Sequence, residues 1–176
     1  MARVWELSYG HKDALTRVLG CHNPETHDFN GGFEKDVDDI INEIKELELC
    51  DGITFSGGDP MFQPEACSKI AKSAKELGLS VWTYSGFKIE ELLKMAESNE
   101  GMKEFLNNID VLIDGKFKIE EKSMNLYYRG SKNQRVLDMK KTLEKNKPVI
   151  IEKYMKEKPI HSFLYKNRFK EAGVFI

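Results

Sequence analysis

The chain has 176 residues and a formal net charge of -2, with 40% apolar and 32% charged residues. That is enough for one domain with a hydrophobic core of its own. Lys and Arg are spread over the whole length, which argues against a nucleic-acid groove or an anionic membrane surface, and no apolar run approaches the roughly 20 residues of a membrane span.

Residues 1–20 carry no clear pattern, and Trp5 and Glu6 interrupt the stretch that a signal peptide would need. A cytoplasmic location is expected. The cysteines are Cys21, Cys50 and Cys67. An odd, sparse set is not a disulfide framework, so these are buried thiols, reactive thiols or metal ligands. Polar turns follow at 22–26 and 30–32. From 33 to 49 the apolar positions Val37, Ile40, Ile41, Ile44 and Leu47 recur at three and four residues, which predicts an amphipathic helix. Residues 53–55 predict a short strand, ended by Ser56-Gly57-Gly58-Asp59-Pro60. A second helix is predicted over 64–77, with Pro64 in its first turn and Gly78 past its end.

Residues 79–84 are β-branched and aromatic and predict a strand, broken by Ser85-Gly86. A helix is expected at 89–96, a helical turn or two at 102–106, and an apolar strand at 111–113 followed by Asp114-Gly115. Residues 119–132 read as a polar loop, 134–143 as a helix and 148–151 as a strand. The tail from 154 to 176 is basic and aromatic and has no assigned role. Strands alternating with helices predict an α/β domain spanning 1–176, a mostly parallel sheet with covering helices. Ligands of such sheets gather at the carboxyl ends of the strands. Gly57-Gly58, Gly86 and Gly115 all stand there, so that edge is the candidate site.

The segment most indicative of chemistry is Gly20-Cys21-His22-Asn23-Pro24-Glu25-Thr26-His27-Asp28-Phe29. Taken alone, a single Cys is most simply a small buried hydrophobe. The segment resembles the end of the cluster-binding loop of the activating proteins of anaerobic ribonucleotide reductase, a radical S-adenosylmethionine (SAM) family. Four more segments, in order, resemble that family. Asp51-Gly52-Ile53-Thr54-Phe55-Ser56-Gly57-Gly58-Asp59-Pro60 is similar to its Gly-Gly-Glu-Pro motif, with Asp for Glu. Val81-Trp82-Thr83-Tyr84-Ser85-Gly86-Phe87 is similar to a segment lining its SAM pocket. The stretches at 109–117 and 129–138 resemble its later signatures. The resemblance covers about residues 20–145.

The resemblance implies a partial (β/α) barrel of the radical-SAM type, with the N-terminal strand in question because residues 1–19 are atypical. It implies a [4Fe-4S] cluster held by three thiolates, with SAM on the open iron. Reductive cleavage of SAM there would place a glycyl radical on the large subunit of anaerobic ribonucleoside-triphosphate reductase. The electron would come from a donor such as flavodoxin or ferredoxin. The implied SAM-binding residues are Ser56, Gly57, Gly58, Asp59, Pro60, Tyr84, Ser85 and Gly86. Arg129 or Arg135 would meet the SAM carboxylate or the reductase. Cys21 is the implied metal ligand.

One departure is plain. The two other ligand positions of the family loop carry Ala14 and Val18, which cannot bind iron. The genetic code offers an account, stated as a hypothesis. Read one base earlier, the codons across Asp13/Ala14 and Arg17/Val18 can each become a cysteine codon, and the neighbouring codons can restore the rest of the family loop. Residues 1–19 would then be an out-of-frame stretch. Three functions compete: the reductase activase; a cluster-less, catalytically inactive SAM- or reductase-binding module; and an activase for another glycyl-radical enzyme such as pyruvate formate-lyase. The segments at 23–26 and 129–135 favour the reductase partner over the last.

Overall fold

The structure, a computed structural model, describes residues 3–5, 34–47, 50–158 and 174–175. It is the expected α/β fold. Strand β1 (Arg3–Trp5) pairs antiparallel with β2 (Glu34–Asp36) in a small sheet apart from the main one. The main sheet is built from β3 (Gly52–Phe55), β4 (Ser80–Tyr84), β5 (Val111–Asp114), β6 (Arg135–Asp138) and β7 (Val174–Phe175), in the order β6-β5-β4-β3-β7. The pairs β3–β7, β3–β4 and β4–β5 are parallel, and β5–β6 is antiparallel. Among the described residues the sheet is open and does not close into a barrel.

Helix α1 (Val37–Glu46) begins later than the periodicity predicts. The Asp36 carboxylate accepts a hydrogen bond from the Asp38 amide at 2.9 Å, which caps the helix there and leaves 34–36 extended. Helix α2 (Pro64–Glu76) starts on its proline as predicted. Helices α3 (Ile89–Ala96) and α4 (Glu100–Asn108) follow. Gly101 lets α4 approach α2 closely, since a Cβ there would stand 2.7 Å from Glu65 Cγ.

The alternation of each strand sorts two faces. Ile53, Phe55, Val81, Leu112 and Leu137 join the helices in the main core, where Phe55 and Phe105 meet edge to face with ring centres 5.1 Å apart. Each large side chain so buried contributes roughly 1.5–3 kcal/mol. The opposite, inner face carries Val111, Ile113 and Val136, packed with Trp82, Tyr84, Ile151, Tyr154 and Met155.

One element departs from expectation. The helix predicted over 134–143 is strand β6 followed by α5 (Met139–Lys145). Val136 packs on the inner face and Leu137 on the outer, a period-two demand that overrides the helical pattern. Asp138 then caps α5, accepting from the Lys141 amide at 3.0 Å. The strand expected at 148–151 appears as a single antiparallel bridge, Leu137 to Ile150, on the outer side of β6. The short helix α6 (Glu152–Met155) follows. Among the described residues no helix is long and apolar enough to cross a membrane.

Candidate functional site

Because β3, β4 and β5 run parallel, their carboxyl ends share one edge. The first turn there, 56–60, has Gly57 exposed at φ +108, a conformation that side chains with a Cβ rarely adopt. Asp59 closes the turn. Its Oδ1 accepts from the Met61 amide at 3.1 Å, capping the 3-10 turn Pro60–Phe62. Its Oδ2 accepts from Ser85 Oγ at 3.0 Å and from the Gly86 amide at 2.7 Å. Burial raises the Asp59 pKa, and the three donors oppose the rise.

The second turn, 85–87, is tied inwardly as well. Ser85 Oγ accepts from the Phe87 amide at 3.1 Å, and the rings of Phe62 and Phe87 meet edge to face at 5.7 Å. Tyr84 stands beside this turn on the inner face, its phenol pushed up to about 12 by burial. The structure therefore brings Ser56, Gly57, Gly58, Asp59, Pro60, Tyr84, Ser85 and Gly86 to adjacent turns of one edge.

The third turn is built on Asp114, fully buried at the end of β5. Its Oδ2 accepts from the Ile89 amide at 2.9 Å, at the start of α3, and its Oδ1 from Arg135 Nε at 2.9 Å. Arg135 also grips Glu90 with bonds of 3.0 and 2.8 Å. The bond with Asp114, then that with Glu90, holds the Arg135 guanidinium above its ordinary range. Arg135 is thus held within the fold by two carboxylates. Nothing in the sequence marked Glu90 and Asp114 as its partners, since the pairing depends on the antiparallel register of β6.

Arg129 is held within the fold as well. It is 7% exposed, and its two terminal nitrogens donate to four carbonyls: Lys132 at 3.2 Å, Gln134 at 3.0 Å, Tyr154 at 3.4 Å and Met155 at 3.0 Å. Residues 119–132 are accordingly more than a polar loop. They bury Arg129, Leu126 and Ser131. A cleft of about 590 Å³ lies at the other half of β4, lined by Ser80, Trp82, Val111 and residues of 149–154, away from the three turns.

Ala14, Val18 and Cys21 lie outside the described residues. Cys50 donates its thiol to the Gly52 carbonyl at 2.9 Å. Cys67 is fully buried, and burial pushes its thiol well above the ordinary range. Among the described residues no group of three His, Cys, Asp or Glu side chains could hold a metal ion. At the three positions that the family resemblance assigns to the cluster the chain carries Ala14, Val18 and Cys21, and one cysteine does not make a three-thiolate donor set. The glycine turn does fit the amino-acid end of SAM. Among the described residues Gly57 and Gly58 spend no backbone group on a partner, which leaves carbonyl acceptors for an ammonium.

The family model described as a 4Fe-4S single cluster domain matches residues 13–137, which include the open, mostly parallel sheet up to β6 and the Gly-Gly-Asp-Pro turn at its carboxyl edge. The chain is 35% identical over 124 residues to the anaerobic ribonucleoside-triphosphate reductase-activating protein of Escherichia coli K12, covering 65% of this chain and 76% of that protein. The protein of the same name from Haemophilus influenzae is 34% identical over 123 residues, with the same coverage. The pyruvate formate-lyase-activating enzyme of Clostridium pasteurianum is 34% identical over 68 residues, 36% of this chain and 29% of that enzyme. This chain belongs to the family of anaerobic ribonucleoside-triphosphate reductase-activating proteins.

Proposed function

We propose that this chain serves the activation of an anaerobic ribonucleoside-triphosphate reductase and holds SAM at the carboxyl edge of its sheet. The observation that carries this reading is the turn at 56–60, with Gly57 at φ +108, locked beside the turn at 85–87. The carbonyls of Gly57 and Gly58, which have no partner among the described residues, would accept from the SAM ammonium, and Tyr84 would line the site from the end of β4. The large subunit of the reductase is the partner, and a flavodoxin or ferredoxin is the electron donor. The glycyl-radical reaction, by reductive SAM cleavage at a [4Fe-4S] cluster, belongs to a form of the protein with cysteines at positions 14 and 18.

A second reading rests on Ala14 and Val18 themselves. As its sequence stands, the chain is a SAM- or reductase-binding module without a cluster. One experiment separates the two. The chain and its Ala14→Cys, Val18→Cys form are each treated anaerobically with iron, sulfide, SAM and a reductant, mixed with the reductase, and followed by electron paramagnetic resonance and by S-adenosylhomocysteine titration. A glycyl radical from the form with both cysteines supports the first reading. Ligand or reductase binding without a radical supports the second. Absence of both binding events sinks the two together.

A further inference from the structure

We infer that Asp59 is a positioning residue: its carboxylate ties the turn at 56–60 to the turn at 85–87 and sets the spacing of the SAM-binding edge without touching SAM. The inference rests on the SAM reading above and deepens it. The parallel ladder between β3 and β4 ends at the pair Phe55 and Thr83. Past that point no ladder between these two strands is present among the described residues, and they leave the sheet as separate turns. Asp59 restores the link.

Three donors from two turns converge on its two oxygens: Met61 N on Oδ1, and Ser85 Oγ and Gly86 N on Oδ2. The bond from Gly86, at 2.7 Å, is as short as charge-assisted bonds are. Ser85 passes the tie onward by accepting from Phe87 N, and the ring of Phe87 packs on Phe62. The two turns are thus joined at one polar and one aromatic point. Both carboxylate oxygens face inward to these donors, and the free backbone of Gly57 and Gly58 is left to the ligand. A carboxylate so engaged holds the shape of the site, and small displacements of such a support weaken a site markedly.

The test uses the full chain with Asp59→Asn, Ser85→Ala and the double variant, titrated with S-adenosylhomocysteine. An Asn side chain keeps one acceptor oxygen for the two sets of donors, so it cannot hold both the Met61 cap and the link to Ser85 and Gly86. Asp59→Asn is expected to weaken binding by about 10- to 100-fold and Ser85→Ala by about 3- to 10-fold, with the double variant no weaker than Asp59→Asn, because both act through one link. Losses that multiply in the double variant overturn the inference, since they indicate a direct contact from Asp59. Hydrogen exchange of the Gly86 amide, read without ligand, gives a second measurement. Its protection falls in Asp59→Ala, which has no acceptor for that amide, and unchanged protection overturns the inference. Where Asp59→Asn does not fold, Asp59→Ala replaces it in the titration: both acceptor oxygens are gone, and binding still falls. If the unaltered chain binds no S-adenosylhomocysteine, the SAM reading fails, and the Gly86 exchange alone decides the tie.

Discussion

The guanidinium of Arg129 reaches the carbonyl oxygens of Tyr154 and Met155, 3.4 and 3.0 Å away, and so pins helix α6 against the loop that follows β5. The same group holds the carbonyls of Lys132 and Gln134. The guanidinium's two terminal nitrogens reach four carbonyls, and a lysine ammonium, with its single nitrogen, cannot span them. Arg129→Lys is expected to cost about 2–4 kcal/mol, because buried carbonyls lose their partners. Urea denaturation measures the loss. Stability equal to that of the unaltered chain would remove Arg129 from this structural role.

Arg135 answers a buried charge. The Asp114 side chain is 0% exposed, and Arg135 lies against it from the neighbouring strand. Arg135→Met leaves that carboxylate without its counter-charge, and the expected cost is about 3–5 kcal/mol. Adding Asp114→Asn should recover a large part, since the amide oxygen still accepts from the Ile89 amide. A double variant as unstable as Arg135→Met would show that the loss comes from packing, not from the bare charge.

Glu90 gives a pH-dependent signal of known sign. Its hydrogen bond from Arg135 is the main cause that holds its carboxyl below the ordinary glutamate range. A carboxyl depressed on folding adds stability above its unfolded pKa, and that stability is lost as the pH falls through the folded value. The Glu90 side chain is 49% exposed, so screening keeps the gain under about 1 kcal/mol. Glu90→Gln should therefore melt slightly lower than the unaltered chain at neutral pH. The gap should close in strong acid and shrink in high salt. A gap that widens on acidification contradicts the assignment.

The cysteine deficit makes a chemical prediction. Reconstituted anaerobically with iron and sulfide, the chain should hold far less iron than a [4Fe-4S] cluster contains, because cluster irons need thiolate or equivalent ligands. A stable cluster at full occupancy would show this to be wrong. Ala14→Cys with Val18→Cys should raise iron binding only if the backbone around them can form the loop. Sequencing the gene tests the frame hypothesis directly. Codons across Asp13/Ala14 and Arg17/Val18 that lack TGC or TGT in the shifted frame end it.

Much of the fold was legible in the chain. The periodicity of Val37, Ile40 and Ile44 located α1, Pro64 began α2, and the β-branched run ending at Tyr84 was a strand. These are local signals, set by the spacing of apolar residues and by caps. The α1 start was misjudged because Asp36 caps three residues inside the periodic run. The stretch at 134–138 was misjudged because a helical pattern and a strand share the same apolar residues, and only the neighbour β5 chooses between them.

The candidate site divides in the same way. By itself the sequence determined the family, the glycine turn at 56–60, the break at Ser85-Gly86 and the presence of Ala14 and Val18 where the resemblance expects cysteines, since each is a statement about residue type and spacing. Only the tertiary structure decided what the charged groups do. Asp59 reaches across to Ser85 and Gly86, Arg135 is spent on Asp114 and Glu90, and Arg129 is spent on four carbonyls. The physical reason is that a charge acts on whatever stands a few ångströms away. That is fixed by strand register and loop packing between segments distant in the chain, not by the neighbours beside it in sequence.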